Sequence, residues 1–174
     1  MNGATFRRTA KGMIRMTLAD GLVLLGFVAL SGLVATSGIL FKPGPWYAGL
    51  RKPGWTPPNR AFPLVWSILY LLIAVSGWLV WRAAGWPAGA FTLFGIQMVL
   101  NFLWSWLFFR LRKPLWALAD IGLLAVAVAA TAFAFASYSR TAAWLFLPYL
   151  AWVCVAFGLN LSVWRLNRDR GVFA

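Results

Sequence analysis

The chain has 174 residues, of which 62% are hydrophobic and 11% charged, and its mean hydropathy is +0.77. No water-soluble domain of this size buries so large an apolar fraction, so lipid must be the second solvent. The net charge of +13 comes from 16 Lys and Arg against three acids, but the cations sit between apolar runs, which assigns them to lipid headgroups and argues against nucleic acid.

Residues 1–17 form a basic arm carrying Arg7, Arg8, Lys11 and Arg15. Behind it, five stretches approach the ~20 apolar residues that a membrane-spanning helix needs. They cover 18–40, 62–81, 88–109, 115–138 and 142–161. The alternative for the first, the apolar core of a signal peptide, conflicts with its length, because Gly21 to Leu40 outruns the ~7–15 residues of such a core. The expected fold is therefore an all-α membrane protein, a five-transmembrane-helix bundle over 18–167 followed by a 168–174 tail. The short connections after the second, third and fourth spans force antiparallel neighbours.

The one long connection, 41–61, holds Pro43, Pro45, Pro53, Pro57 and Pro58 together with Trp46, Tyr47 and Trp55. Proline fixes φ and removes donors, so this segment is stiff, and its rings give it apolar weight to fold over the mouth of a bundle as a lid. Rings lying in the headgroup layer are the alternative.

In the second span Trp66 and Tyr70 are four apart and share a helix face. In the third, Gln97, Asn101 and Trp104 share another, and neutral amides at that depth must point into the bundle, either to bond neighbouring helices or to touch a ligand. The fourth span is rich in alanine, which predicts close backbone packing within or between subunits. Its Asp120 lies near enough to Arg112 and Lys113 to be solvated or paired with them, and Asp20 is placed similarly opposite Arg15. The fifth span aligns Tyr149, Trp152, Ala156 and Asn160 after Pro148, with Cys154 as a small packing residue. If the three aromatic and polar faces converge, they make a pocket for a large, flat, mostly apolar ligand; if not, an aromatic core without a cavity.

The absence of His and the single Cys exclude a disulfide framework and the usual metal sites, and no hydrolase triad or nucleotide loop is present. No metal and no resident cofactor are expected. Alternating the loops between two sides puts ten cations with the C-terminus and six opposite, which favours a cytoplasmic C-terminus.

These residues resemble the tryptophan-rich sensory protein and translocator protein family, also called the peripheral benzodiazepine receptor family. The resemblance runs over about 37–167 and rests on Trp46-Tyr47, Leu50, Lys52-Pro53, Trp55, Pro57-Pro58, Phe62, Trp66 and Tyr70. It continues through Gln97, Asn101, Trp104, Phe108-Phe109, Pro148-Tyr149, Trp152, Leu159-Asn160, Arg165 and Asn167. It implies a five-helix homodimer, in the cell membrane of a bacterium, that binds protoporphyrin IX or a related tetrapyrrole under the first loop in a sensory or stress-response role. Carried onto this chain, the ligand-binding residues are Trp46, Trp55, Trp66, Tyr70, Gln97, Asn101, Trp104, Tyr149, Trp152 and Ala156. A light- and oxygen-dependent degradation of the porphyrin, reported for some bacterial relatives, would make Trp66 and Trp152 catalytic; transport of the porphyrin is the third possibility. The sterol-recognition stretch of animal relatives needs a Tyr where this chain has Leu161 and Ser162, which argues against sterol transport.

Overall fold

The computed structural model describes residues 17–173; the basic arm, Arg15 included, lies outside the described residues. Among the described residues, five helices are long and apolar enough to cross a membrane. They are α1 (Leu18–Leu40), α3 (Ala61–Ala84), α4 (Ala88–Ser105, prolonged by a π-helical turn over Trp106–Arg110), α5 (Pro114–Ala136) and α6 (Arg140–Asn167). A short helix, α2 (Pro45–Ala48), lies within the lid. The chain is thus a multi-pass, all-α membrane protein.

Local signals set the helix ends. Thr17 starts α1 with a capping box: its hydroxyl accepts from the Asp20 amide at 3.1 Å while the Asp20 carboxylate accepts from the Thr17 amide at 2.8 Å. Gly85, at φ +68°, ends α3 in a backbone conformation that side-chain-bearing residues rarely adopt. Pro114 occupies the first turn of α5, where its missing N–H costs nothing. Ser139 caps α6 by accepting from the Ala142 amide at 3.2 Å. The helix α6 continues to Asn167, well past the apolar limit at Leu161. Hydropathy marks where lipid ends, whereas a helix runs on as long as its carbonyls find donors.

The spans form a closed ring. In it α1 contacts α3 and α4, α3 contacts α6, and α5 fills the gap between α6 and α4. The turns place the lid, the 110–113 connection and the C-terminus at one end of the bundle and the 85–87 and 137–139 turns at the other, the foot.

At the foot, α1 and α3 are locked together. Arg82 pairs with Asp20 at 3.4 Å and lies 4.9 Å from the Trp78 ring, whose indole N–H bonds the Asp20 carbonyl at 3.0 Å. Asp20 therefore takes Arg82 as its partner, a residue 62 positions away that sequence proximity to Arg15 does not suggest. Phe27 lies against Gly77 so closely that a Cβ there would come within 2.7 Å of the ring. An aromatic cluster of Phe91, Phe94, Phe135 and Phe146 fills the space between α4, α5 and α6.

Two expectations need correction. Asp120 is 5% exposed, pairs with no cation, and neither carboxylate oxygen has a hydrogen-bond partner among the described residues. The cause is local: α5 begins at Pro114, so Arg112 and Lys113 precede the helix and follow the turn outward, while Asp120 lies on the buried face. Cys154 is exposed on the outside of α6, where it faces lipid and takes no part in the core.

Candidate functional site

Under the lid, a cavity of about 960 Å³ opens between α1, α3, α4 and α6. It forms because α1 presents small residues there. Ser31, Gly32, Ala35 and Gly38 line one wall, facing Trp66 and Tyr70 of α3 and Asn101 and Trp104 of α4. Ala156 and Asn160 of α6 close the back, and Lys42, Tyr47 and Asn59 of the lid form the roof.

A directed chain of hydrogen bonds starts at the wall and runs into the core. The Tyr70 hydroxyl donates to Asn101 Oδ1 at 2.7 Å, Asn101 Nδ2 donates to the Tyr149 hydroxyl at 2.7 Å, and that hydroxyl donates to Gln97 Oε1 at 3.1 Å. Trp104 donates through Nε1 to Asn160 Oδ1 at 3.1 Å, and Asn160 Nδ2 donates to the Pro114 carbonyl at 2.8 Å. Each amide that was expected to point inward does so and is bonded between helices. The aromatic wall is equally ordered: Trp66 stacks on Tyr70 at 5.4 Å and meets Tyr149 edge-on at 6.1 Å.

The structure places Trp66, Tyr70, Asn101, Trp104 and Ala156 on the cavity wall. Gln97 and Tyr149 lie behind it, fully buried, and support Asn101. Trp152 also lies off the wall, edge-on to Phe62 at 5.7 Å, with its indole N–H buried and unpartnered among the described residues. The two lid tryptophans are used elsewhere. Trp46 donates to the Val172 carbonyl at 3.0 Å and packs on Phe108 and Phe173, and Trp55 lies over Gly158, 3.5 Å from the position a Cβ would take. Periodicity puts these rings on inward faces, but it does not say which of them the lid or a neighbouring helix covers.

The part that α1 plays in the wall was not anticipated, although the span itself was. Its signal was present in the run Ser31-Gly32 followed by Ala35 and Gly38, small residues spaced on one face of a span otherwise made of Leu and Val. Ser31 is 2% exposed, lines the cavity, and its hydroxyl has no partner among the described residues.

The lid is pinned to the end of α6. Asn167 Oδ1 accepts from the Arg51 amide at 2.9 Å and Asn167 Nδ2 donates to the Arg51 carbonyl at 2.8 Å, which joins the two segments like a pair of strand residues. Tyr47 packs between Phe108 and Phe109 with the Lys52 ammonium 4.5 Å from its ring, and burial pushes the pKa of its hydroxyl above the usual 10.0. No carboxylate or thiol lines the cavity among the described residues. The site offers aromatic faces, hydroxyls, amides and one lysine, the mixture of apolar walls and a few polar groups that lines ligand pockets.

The TspO/MBR family model matches residues 15–165. The chain belongs to the TspO/MBR family. It is 39% identical over 151 residues to the tryptophan-rich sensory protein of Cereibacter sphaeroides, covering 87% of this chain and 95% of that protein. It is 38% identical over 149 residues to the translocator protein of Sus scrofa, covering 82% and 86% respectively. Protein CrtK of Rhodobacter capsulatus matches at 40% over 144 residues, covering 81% and 89%. The TspO/MBR match contains every cavity-lining helix, while Asn167, which pins the lid, falls just beyond its end.

Proposed function

We propose that this TspO/MBR-family protein binds a tetrapyrrole, protoporphyrin IX or haem, in the cavity beneath its lid and acts as a membrane sensor or regulator. The observation that carries this reading is the cavity of about 960 Å³, near the top of the ~300–1,000 Å³ range of ligand pockets, with an aromatic wall and a short line of hydrogen-bonding groups. A flat macrocycle would lie against Trp66 and Tyr70, with the Tyr70 and Ser31 hydroxyls and Asn101 at its edge. Relatives named as sensory proteins are consistent with the regulatory role. In this reading Gln97, Tyr149 and Trp152 hold the wall in place, and Trp46 and Trp55 hold the lid.

Titration of the purified protein with protoporphyrin IX, followed by tryptophan fluorescence, tests the proposal. Saturable quenching is expected, weakened at least tenfold in Ala156→Phe, which fills the cavity. Absence of quenching, or quenching unaffected by that substitution, overturns it.

A second reading, light- and oxygen-dependent degradation of the porphyrin, draws support from the stacked Trp66–Tyr70 pair on the wall. Trp152 is a weaker candidate because it lies off the wall. Illumination of the complex distinguishes the two: decay of the porphyrin spectrum that disappears in Trp66→Phe supports degradation. Transport, the role that relatives named translocator proteins bring to mind, would show as porphyrin uptake into vesicles.

The same proposal places the protein as a homodimer in a bacterial cell membrane with the lid and C-terminus in the cytoplasm. Ten cations at the lid end support that orientation. Light scattering of the detergent complex and a C-terminal reporter fusion test the two points.

A further inference from the structure

Beside the roof of the cavity lies an adjoining recess of about 200 Å³, which shares Phe41, Lys42 and Phe109 with it. It sits between the end of α1, the start of the lid and the π turn, and Leu40, Phe41, Lys42, Trp46, Arg110 and Arg112 line it. Three cationic residues therefore line one small volume. The chain's acids are all elsewhere: Asp20 pairs with Arg82, Asp169 with Arg168, and Asp120 is buried in α5. Among the described residues no carboxylate lines the recess, so an anion entering it meets cationic side chains and no competing negative charge.

Arg112 is held there against its own backbone preference. Its φ is +58°, a left-handed conformation rare for a bulky side chain, and its guanidinium lies 6.0 Å from the Trp46 ring. Trp46 is in turn fixed by its bond to the Val172 carbonyl. The left-handed turn at Arg112 closes the end of the π-helical turn, with the Lys113 amide bonded to the Leu107 carbonyl at 3.0 Å, and it brings Arg112 beside the fixed Trp46 ring.

The surroundings specify the rest of the ligand. Leu33 and Leu40 are both exposed and lie seven residues apart, so one lipid-facing stripe of α1 leads up to the recess. Trp106, one turn before Arg110, is exposed beside it. The recess thus stands where the apolar span ends, at headgroup depth, above a hydrocarbon-facing surface.

We propose that this recess is a headgroup site for an anionic phospholipid of the surrounding bilayer, its phosphate held by Lys42, Arg110 and Arg112 and its acyl chains lying along Leu33, Leu40 and Trp106. The site adjoins the cavity through Lys42, which lines both, whereas Arg110 and Arg112 line the recess alone.

Native mass spectrometry of the full chain, exchanged from detergent into equimolar dioleoyl phosphatidylglycerol and dioleoyl phosphatidylcholine, tests it. Wild type retains the glycerol lipid in preference to the choline lipid. Lys42→Gln/Arg110→Gln/Arg112→Gln lowers that retention on the order of 100-fold, and Arg112→Gly lowers it roughly fivefold. Arg112→Gly also relieves the left-handed backbone, so its loss of lipid is not a loss of fold. Arg140→Gln, at the foot, leaves retention unchanged. Equal retention of the two lipids, or an Arg140→Gln effect as large as that of Arg112→Gly, overturns the proposal. So does displacement of the lipid by millimolar inorganic phosphate, which would assign the recess to a soluble anion.

Discussion

Replacing Asn167 with Ala cuts both hydrogen bonds that tie the lid to α6 at Arg51, those of 2.9 and 2.8 Å. Each such bond contributes about 1 kcal/mol net, so closure of the lid over this segment loses about 2 kcal/mol. At 1.4 kcal/mol per decade, the open fraction rises roughly 30-fold. Two further contacts of Asn167, from Nδ2 to the Val163 carbonyl at 2.8 Å and from Arg170 Nη1 to Oδ1 at 2.8 Å, stay within α6 and the turn after it and do not reach the lid. Hydrogen exchange at the backbone amides of 50–56, measured by mass spectrometry, should accelerate by the same factor while exchange in the foot of α3 stays unchanged. Asn167→Asp keeps the acceptor for the Arg51 amide and loses the donor to its carbonyl, so it should give roughly a fivefold acceleration. The reasoning fails if exchange in 50–56 is the same in wild type and Asn167→Ala, because the Trp46 bond to Val172 would then hold the lid alone.

Tyr149→Phe strands both Asn101 Nδ2 and Gln97 Oε1 inside the bundle and should cost ~2–4 kcal/mol of stability, read as a lower thermal midpoint in detergent; an unchanged midpoint would mean that water already serves those groups. Gly77→Ala pushes a methyl to within 2.7 Å of the Phe27 ring and should destabilise by ~1–3 kcal/mol, with Phe27→Leu restoring most of the loss in the double variant. Tyr47 has a folded-state pKa raised by burial, so its contribution to lid closure is complete below the unfolded value of 10.0 and is lost as pH rises above it. The tyrosinate absorbance of wild type minus that of Tyr47→Phe should accordingly show a midpoint above 10.0, and a midpoint at or below 10.0 would contradict the buried placement.

The five spans were legible because lipid imposes a length and a composition that few other structures need. The inward faces of α3 and α4 were legible too: a four-residue spacing puts Trp66 beside Tyr70, and an amide in hydrocarbon must find a partner, as Asn101 and Gln97 do. What hydropathy does not encode is the order of helices around the ring. That order decides that Trp152 meets Phe62 instead of the cavity, and that Asp120 is enclosed between helices instead of reaching the cations of the preceding turn. The wall on α1 escaped notice for a related reason. Aromatic and amide groups advertise a site, whereas Gly32, Ala35 and Gly38 contribute by leaving room. The π turn at Trp106–Arg110 has no compositional mark, and the segment reads simply as the continuation of an apolar helix.

The lock between α1 and α3 has a mechanical consequence. They are joined at the foot by Asp20 with Arg82 and by Phe27 with Gly77, while farther along the same two helices form opposite walls of the cavity, each bonded there to α4, Ser37 to Ser105 and Tyr70 to Asn101. Gly77 and Trp66 are eleven residues apart, about 16 Å along α3 at 1.5 Å per residue. The two helices are thus coupled directly at the root and through α4 at the wall, so a change at the clamp, remote from the wall, alters the stiffness of the opening between them.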